Sequence, residues 1–139
     1  MNTEKVVSIF KDQERFLADL DSLHVTSVTS LDSKPIFYAT SMLLFSIANR
    51  TIDLGEEIVA SRKLGFPGKY REIFDLLLKD KVIDSKLHKD LLSLVHFRNL
   101  AAHEYHTFTA KDVFEAYSKV RCVLVFVEKV KKVCFNARK

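Results

Sequence analysis

The side chains most suited to chemistry lie together in one short stretch of the sequence, residues 96–106. It holds three histidines, one arginine and one tyrosine, in the order His96-Phe97-Arg98-Asn99-Leu100-Ala101-Ala102-His103-Glu104-Tyr105-His106. An arginine guanidinium is a planar group of N–H donors that suits two phosphate oxygens and the charge that develops on a phosphorane. A histidine titrates near neutral pH and can move a proton to or from a ribose hydroxyl group. In principle, these two residue types are sufficient for metal-free cleavage of RNA with the 2′-OH as internal nucleophile.

The spacing of these residues limits how they can act together. Arg98 and His103 are five residues apart, which on a continuous helix separates them by about 140°. They therefore converge only if the helix loosens before His103, or if two chains share one site. The alternative is structural, because a polar stretch at a helix end commonly caps the helix and covers the surface. Spacing alone leaves these alternatives open.

Two further patterns bear on metals and redox chemistry. No acidic cluster with metal-ligand spacing occurs in the sequence, which favours the metal-free route over a two-metal nuclease. Cys122 and Cys134 are twelve residues apart, which fits neither a metal-binding pair nor a redox CxxC motif. We expect both to be buried free thiols.

The composition indicates one helical domain, residues 1–139. Hydrophobic residues make up 47% and charged residues 29%, with only three glycines and two prolines. A β-rich chain would need more turn-forming residues. No apolar stretch approaches the roughly 20 residues of a membrane span, and the first residues do not resemble a signal peptide, so we expect a cytoplasmic protein with no membrane partner. The net charge of +4 is compatible with a phosphate-bearing partner.

Hydrophobic periodicity and capping signals predict the fold class: an all-α, single-domain, up-and-down bundle of about five helices. The second helix is the longest, and it is expected to end at Gly65. A Thr-x-x-Asp capping box starts the fifth at Thr109. The predicted helices cover about residues 3–23, 33–64, 69–80, 85–103 and 109–135, with a polar loop at 24–33.

The fifth helix carries more apolar residues than one stripe needs. Its predicted core stripe is Val113, Tyr117, Val120, Leu124, Val127 and Val130. Off this stripe lie Val123, Val125, Phe126 and Phe135, which predicts a second apolar surface and a homodimer face. The run RCVLVFV taken alone would suit a strand, but the helical spacing extends over more than five turns.

The string Arg98-x4-His103-x-Tyr105 resembles the R-x4-H-x-Y motif of the HepT-like toxins in the HEPN superfamily, and Asn99 after the arginine also fits. The similarity extends over about residues 33–135 and includes the long second helix and the break at 65–68. Ala101-Ala102 stand where the family usually has bulkier aliphatic residues, so packing at this helix end is expected to differ. The motif predicts no role for His96 or His106, which lie beside it.

This resemblance implies a HEPN-like dimer that brings two copies of the motif into one cleft. It further implies a ribonuclease toxin paired with an MNT-type nucleotidyltransferase antitoxin, which uses ATP to attach AMP to Tyr105. Arg98 would stabilise phosphate charge, His103 would perform acid–base catalysis and Asn99 would support both. Cleavage itself would need no cofactor. The alternatives are a non-catalytic nucleotide- or partner-binding subunit of a nucleotidyltransferase complex, and a structural dimer with a vestigial motif.

Overall fold

The computed structural model describes residues 1–104 and 107–136, and all regular secondary structure in these residues is helical. This confirms the all-α bundle of about five helices, with the fifth divided into two. The α-helices are α1 (Thr3–Asp21), α2 (Lys34–Ser61), α3 (Tyr70–Lys79), α4 (Ser85–His103), α5 (Ala110–Lys119) and α6 (Cys122–Lys131), and a short π-helical turn, Lys132–Asn136, follows α6.

Local signals set several of the helix ends. Pro35 lies in the first turn of α2, where its missing N–H is harmless. Gly65 has a φ of 148°, a conformation that disfavours other residues, and it follows the end of α2. The Asp84 side chain accepts a hydrogen bond from the backbone N–H of Leu87 at 2.8 Å, at the start of α4. The capping box that the sequence predicts at Thr109 is present.

The predicted loop at 24–33 contains a 3₁₀ helix, Val28–Asp32. Leu31 within it and Val25 before it are buried in the core. The Tyr117 hydroxyl donates a hydrogen bond to the Val25 carbonyl at 3.0 Å, across 92 residues of sequence. Packing against distant residues orders this polar segment, which its own composition could not indicate.

The long helix α2 is the centre of the fold and packs against α1, α3, α4 and α5. Its approach to α3 is close at Gly55, where a Cβ atom would lie 2.7 Å from Cγ2 of Ile73 and 3.3 Å from the Phe74 ring. Within the described residues, no helix is both long enough and apolar enough to cross a membrane. The arrangement brings α2, α3 and α4 together around the motif.

The fifth predicted helix is interrupted between α5 and α6, and its predicted stripe is partly wrong. Val123 is fully buried, whereas Leu124 is 44% exposed. The backbone N–H of Val123 bonds to the carbonyl of Val120, three residues earlier, and the N–H groups of Val120 and Leu124 also bond to carbonyls three residues earlier. Such bonds wind the chain at about three residues per turn. Val123 therefore lies on the same side as Val120, in the place that Leu124 would take in a regular α-helix.

Because of this change of winding, the prediction of a second apolar surface is also partly wrong. Phe126 is fully buried with Val123, so two of the four surplus residues belong to the core. Val125 and Phe135 are exposed as predicted, at 49% and 43%, and Leu124 joins them. The apolar surface on α6 is therefore smaller than the sequence suggests, and a homodimer face there remains an untested prediction.

Candidate functional site

The candidate motif lies on α4, which is helical without interruption to His103. The backbone N–H of Glu104 donates to the carbonyl of Leu100 at 2.8 Å and closes the last turn. The helix therefore does not loosen before His103, which removes one of the two arrangements that could bring the motif together. On this helix Arg98 and His103 are separated by about 140° and by a rise of about 7.5 Å.

The Arg98 guanidinium is held by uncharged groups. Its Nε–H donates to Oδ1 of Asn49 at 3.0 Å. Its central carbon lies 4.8 Å from the ring centroid of Tyr70 and 5.7 Å from that of Phe45. A longer contact of 3.4 Å joins Nη1 to Oδ1 of Asn99.

Arg98 is half-buried and forms no ion pair with a carboxylate among residues 1–104 and 107–136. Aromatic faces and one amide oxygen fix the plane of the group without neutralising its charge. The positive charge and outer N–H donors are thus suited to binding an anion.

Asn49 is a site residue that the sequence analysis did not find. It lies on α2, forty-nine residues before the arginine that it contacts. The only sequence signal is one polar residue after the mostly apolar run that begins at Met42. Only the packing of α2 against α4 identifies its partner.

A groove of about 1310 Å³ lies beside the motif, and we call it the α2–α4 groove. The second half of α2, the segment 65–69, the start of α3 and one face of α4 line it. The α4 face contributes His96, Asn99 and His103, which are exposed and spaced so that they project in one direction. The structure thus brings Asn99 and His103 together and adds His96, for which the motif predicts no role.

Tyr70 connects Arg98 to this groove. Its ring lines the groove, and the Arg98 guanidinium lies over the same ring. Arg98 itself is not among the lining residues. Within one chain, Asn99 and His103 therefore line the groove, whereas Arg98 lies over the Tyr70 ring and does not line the groove.

Tyr105 and His106, the last two residues of the motif region, lie outside the described residues. On their C-terminal side, the Phe108 ring stacks on Phe37 at 5.6 Å and meets the edge of Phe97 at 5.9 Å. The connection to α5 is therefore anchored in the bundle immediately after the motif. In the described part of the chain, no group of three or more His, Cys, Asp or Glu side chains is arranged to hold a metal ion.

Comparison with known families gives one match that covers nearly the whole chain. The family described as Ribonuclease HepT-like matches residues 6–133. No curated protein matches the sequence.

Solved structures show the same fold. A toxin–antitoxin complex with AMP-PNP is similar with a TM-score of 0.83 and 18% identity, over 93% of this chain and 98% of that one. A tri-AMPylated HEPN toxin of Shewanella oneidensis, in complex with an MNT antitoxin, also has a TM-score of 0.83, with 20% identity over 94% and 98%. YutE, a cytosolic protein of unknown function from Bacillus subtilis, has a TM-score of 0.80 and 17% identity over 94% and 91%. At these identities the likeness establishes a shared fold.

Proposed function

Because this chain belongs to the HepT-like ribonuclease family, we propose that it is the ribonuclease toxin of a toxin–antitoxin pair and cleaves RNA without a metal ion. The observation that carries this proposal is the state of Arg98, a half-buried cation that aromatic and amide groups orient and no described carboxylate neutralises. Such a group is suited to the charge that builds up on a scissile phosphate.

In the proposed reaction, the ribose 2′-OH attacks the adjacent phosphorus atom and the bond to the 5′-oxygen of the next nucleotide breaks. His103 accepts the proton from the 2′-OH, and the imidazolium formed in this way donates that proton to the leaving 5′-oxygen. Arg98 stabilises the added charge on the phosphorane oxygens, and Asn99 supports both side chains. The products are a 2′,3′-cyclic phosphate and a free 5′-hydroxyl group.

The geometry of α4 supports a site shared between two chains. Since α4 is continuous to His103, Arg98 and His103 of one chain point in different directions, and His103 of a second chain is the natural partner for Arg98. A face of α2 is suited to that contact, because Tyr38 and Met42 are 63% and 65% exposed there. They share one helical stripe with Asn49, which contacts Arg98. We therefore propose that the homodimer contact lies on this face of α2, instead of on the α6 surface that the sequence predicts.

Mixing inactive variants tests the shared site. Arg98→Ala and His103→Ala homodimers are each expected to be inactive. If sites are composite, exchange of subunits creates a heterodimer with one intact site, and RNA cleavage returns. If each chain forms its own site, the mixture stays inactive at every ratio. Sedimentation of Met42→Asp checks the contact, because this charge in the proposed interface should produce inactive monomers.

The proposed partner is an MNT-type nucleotidyltransferase antitoxin that uses ATP to attach AMP to Tyr105. The AMPylated Shewanella oneidensis toxin in complex with its MNT antitoxin supports this by similarity of fold. Tyr105 follows His103 by two residues, so an AMP group there would add bulk and negative charge beside the site. Its phosphate would compete with RNA for Arg98.

Intact-mass measurement tests this regulation. Protein produced with the nucleotidyltransferase and ATP should gain whole AMP units, and the gain should disappear in Tyr105→Phe. A stable complex with no gain in mass would instead indicate inhibition by binding alone.

The ribonuclease activity itself is tested with single variants. Arg98→Ala and His103→Ala should abolish RNA cleavage and growth inhibition while circular dichroism shows an intact fold. His24→Asn is a suitable control, because it removes an exposed imidazole and asparagine tolerates the positive φ at that position. Full toxicity in both motif variants would refute the proposal. Partner binding by unmodified protein that cuts no RNA would favour the non-catalytic subunit.

A further inference from the structure

The most exposed aromatic side chain of the described residues is Phe66, at the edge of the α2–α4 groove. We propose that Phe66 stacks against an unpaired base of single-stranded RNA and holds the strand in the groove that leads to the motif. This inference rests on the proposed ribonuclease function and adds the form of the substrate. No other described residue covers the ring, so its apolar faces are open to a ligand.

The segment around Phe66 presents the ring on a constrained backbone. Gly65 adopts a φ of 148°, and Pro67 restricts the position after the phenylalanine. The backbone N–H of Gly68 donates to Oε2 of Glu72 at 2.8 Å, which ties the segment to α3. A constrained segment loses little conformational freedom when a base stacks on its ring.

The charges around the groove favour a polyanion. The lining includes three cationic side chains, Lys63, Lys69 and Arg71, and one carboxylate, Glu56. Lys63 and Lys69 are exposed and form no ion pair with the residues that the structure describes. Arg71 is 62% exposed and 3.8 Å from Asp75, a weak pairing.

The groove runs past the motif, and this position indicates which kind of ligand it binds. The groove that Phe66 borders is also lined by Asn99 and His103, so a strand in it passes the proposed acid–base group. Positive charge beside an exposed aromatic ring is the combination that binds single strands, because phosphates follow the cations and bases stack on the ring. A base within a duplex has both faces covered by its neighbours, so the strand must be unpaired at this point.

Fluorescence anisotropy with a labelled single-stranded RNA tests this proposal. The full chain carries His103→Ala in every sample, so that the RNA stays intact. Adding Phe66→Ala should weaken RNA binding by about 5- to 150-fold, the range for one base on an aromatic side chain. Phe66→Trp should bind at least as tightly as Phe66. Phe135→Ala is the matched control, because it removes a phenylalanine that is 43% exposed and does not line the groove.

The outcomes separate this inference from the ribonuclease proposal. Equal RNA binding by Phe66→Ala and Phe135→Ala overturns the stacking role, even if the wild-type protein cuts RNA and Arg98→Ala does not. Loss of the nucleotidyltransferase complex or of the dimer in Phe66→Ala, with RNA affinity unchanged, also overturns it and identifies Phe66 as a protein contact. A failed ribonuclease assay with wild-type protein contradicts the proposed function alone, because the anisotropy measurement does not depend on cleavage. Since Phe66 is fully exposed, thermal unfolding should be unchanged in all variants at this position.

Discussion

The hydrogen bond between Asn49 and Arg98 allows the electrostatic role of Arg98 to be separated from its structural one. Asn49→Ala removes the acceptor that lies 3.0 Å from Nε of Arg98. A hydrogen bond to a charged group contributes about 1.5–3 kcal/mol, and we expect about 1–2 kcal/mol here, since water can reach the half-buried guanidinium. If that free energy positions Arg98 for the phosphorane, kcat/KM for RNA cleavage should fall by about 5- to 30-fold.

Asn49→Asp should move stability and activity in opposite directions. A carboxylate at this position pairs with the guanidinium and should raise the free energy of unfolding by up to about 1 kcal/mol. The new carboxylate also neutralises the positive charge of Arg98 that would stabilise the scissile phosphate, and it repels the phosphate itself. Cleavage by Asn49→Asp should therefore be at least about tenfold slower than cleavage by Asn49→Ala, although Asn49→Asp should be the more stable of the two variants.

The assay is kcat/KM on a single-stranded RNA oligonucleotide, with urea unfolding of the same samples. Asn2→Asp is the matched control, because it makes the same change of charge at an exposed position, the N-cap of α1, where Asp caps as well as Asn. Its activity should be close to that of the wild type. Cleavage by Asn49→Asp at or above the rate of Asn49→Ala would refute the role assigned to Arg98, whatever the stability data show.

Three further predictions concern charge geometry, packing and pH. Arg98→Lys keeps the charge but loses the planar fork and the Nε–H bond, so cleavage rates should fall by about 10- to 100-fold; a wild-type rate would show that charge alone suffices. Gly55→Ala places a methyl group 2.7 Å from a buried isoleucine side chain, and overpacking of about 1–3 kcal/mol should exceed the helix-propensity gain of about 1 kcal/mol. In urea unfolding, Gly55→Ala should thus be less stable and Gly68→Ala, whose new Cβ meets only one atom at 3.7 Å, nearly unchanged; equal stabilities would contradict the close approach of α2 and α3. Burial raises the pKa of the Cys122 thiol to about 12 from 9.0. The folded protein then holds a proton that the unfolded chain releases, so stability should decline between about pH 9 and 12 with a slope of up to about 1.4 kcal/mol per pH unit. Cys122→Ala should lack this part of the slope when unfolding is measured from pH 8 to 10.5, and identical slopes would show that the thiol is not desolvated.

The sequence alone was sufficient to predict the first four α-helices, the start of the fifth and the position of the motif. The capping box at Thr109 and the end of α2 near Gly65 depend on contacts among residues a few positions apart. The hydrophobic spacing that defines each helix is similarly local. For that reason the sequence predicts the motif at the end of the fourth helix and an angle of about 140° between Arg98 and His103.

The tertiary structure decided which side chains meet across helices and which remain uncovered. Asn49 contacts Arg98 only because α2 packs against α4. The tight turn before α6 buries Val123 and exposes Leu124, although the pattern of apolar residues favours the reverse. Phe66 has the same apolar side chain as the buried Phe126, yet nothing in the described fold covers it. Helix formation and capping depend on near neighbours in the sequence, so the sequence by itself determined most of the helices. Burial of side chains and contacts between helices depend on residues far apart in the sequence, so only the tertiary structure determined which side chains form the site.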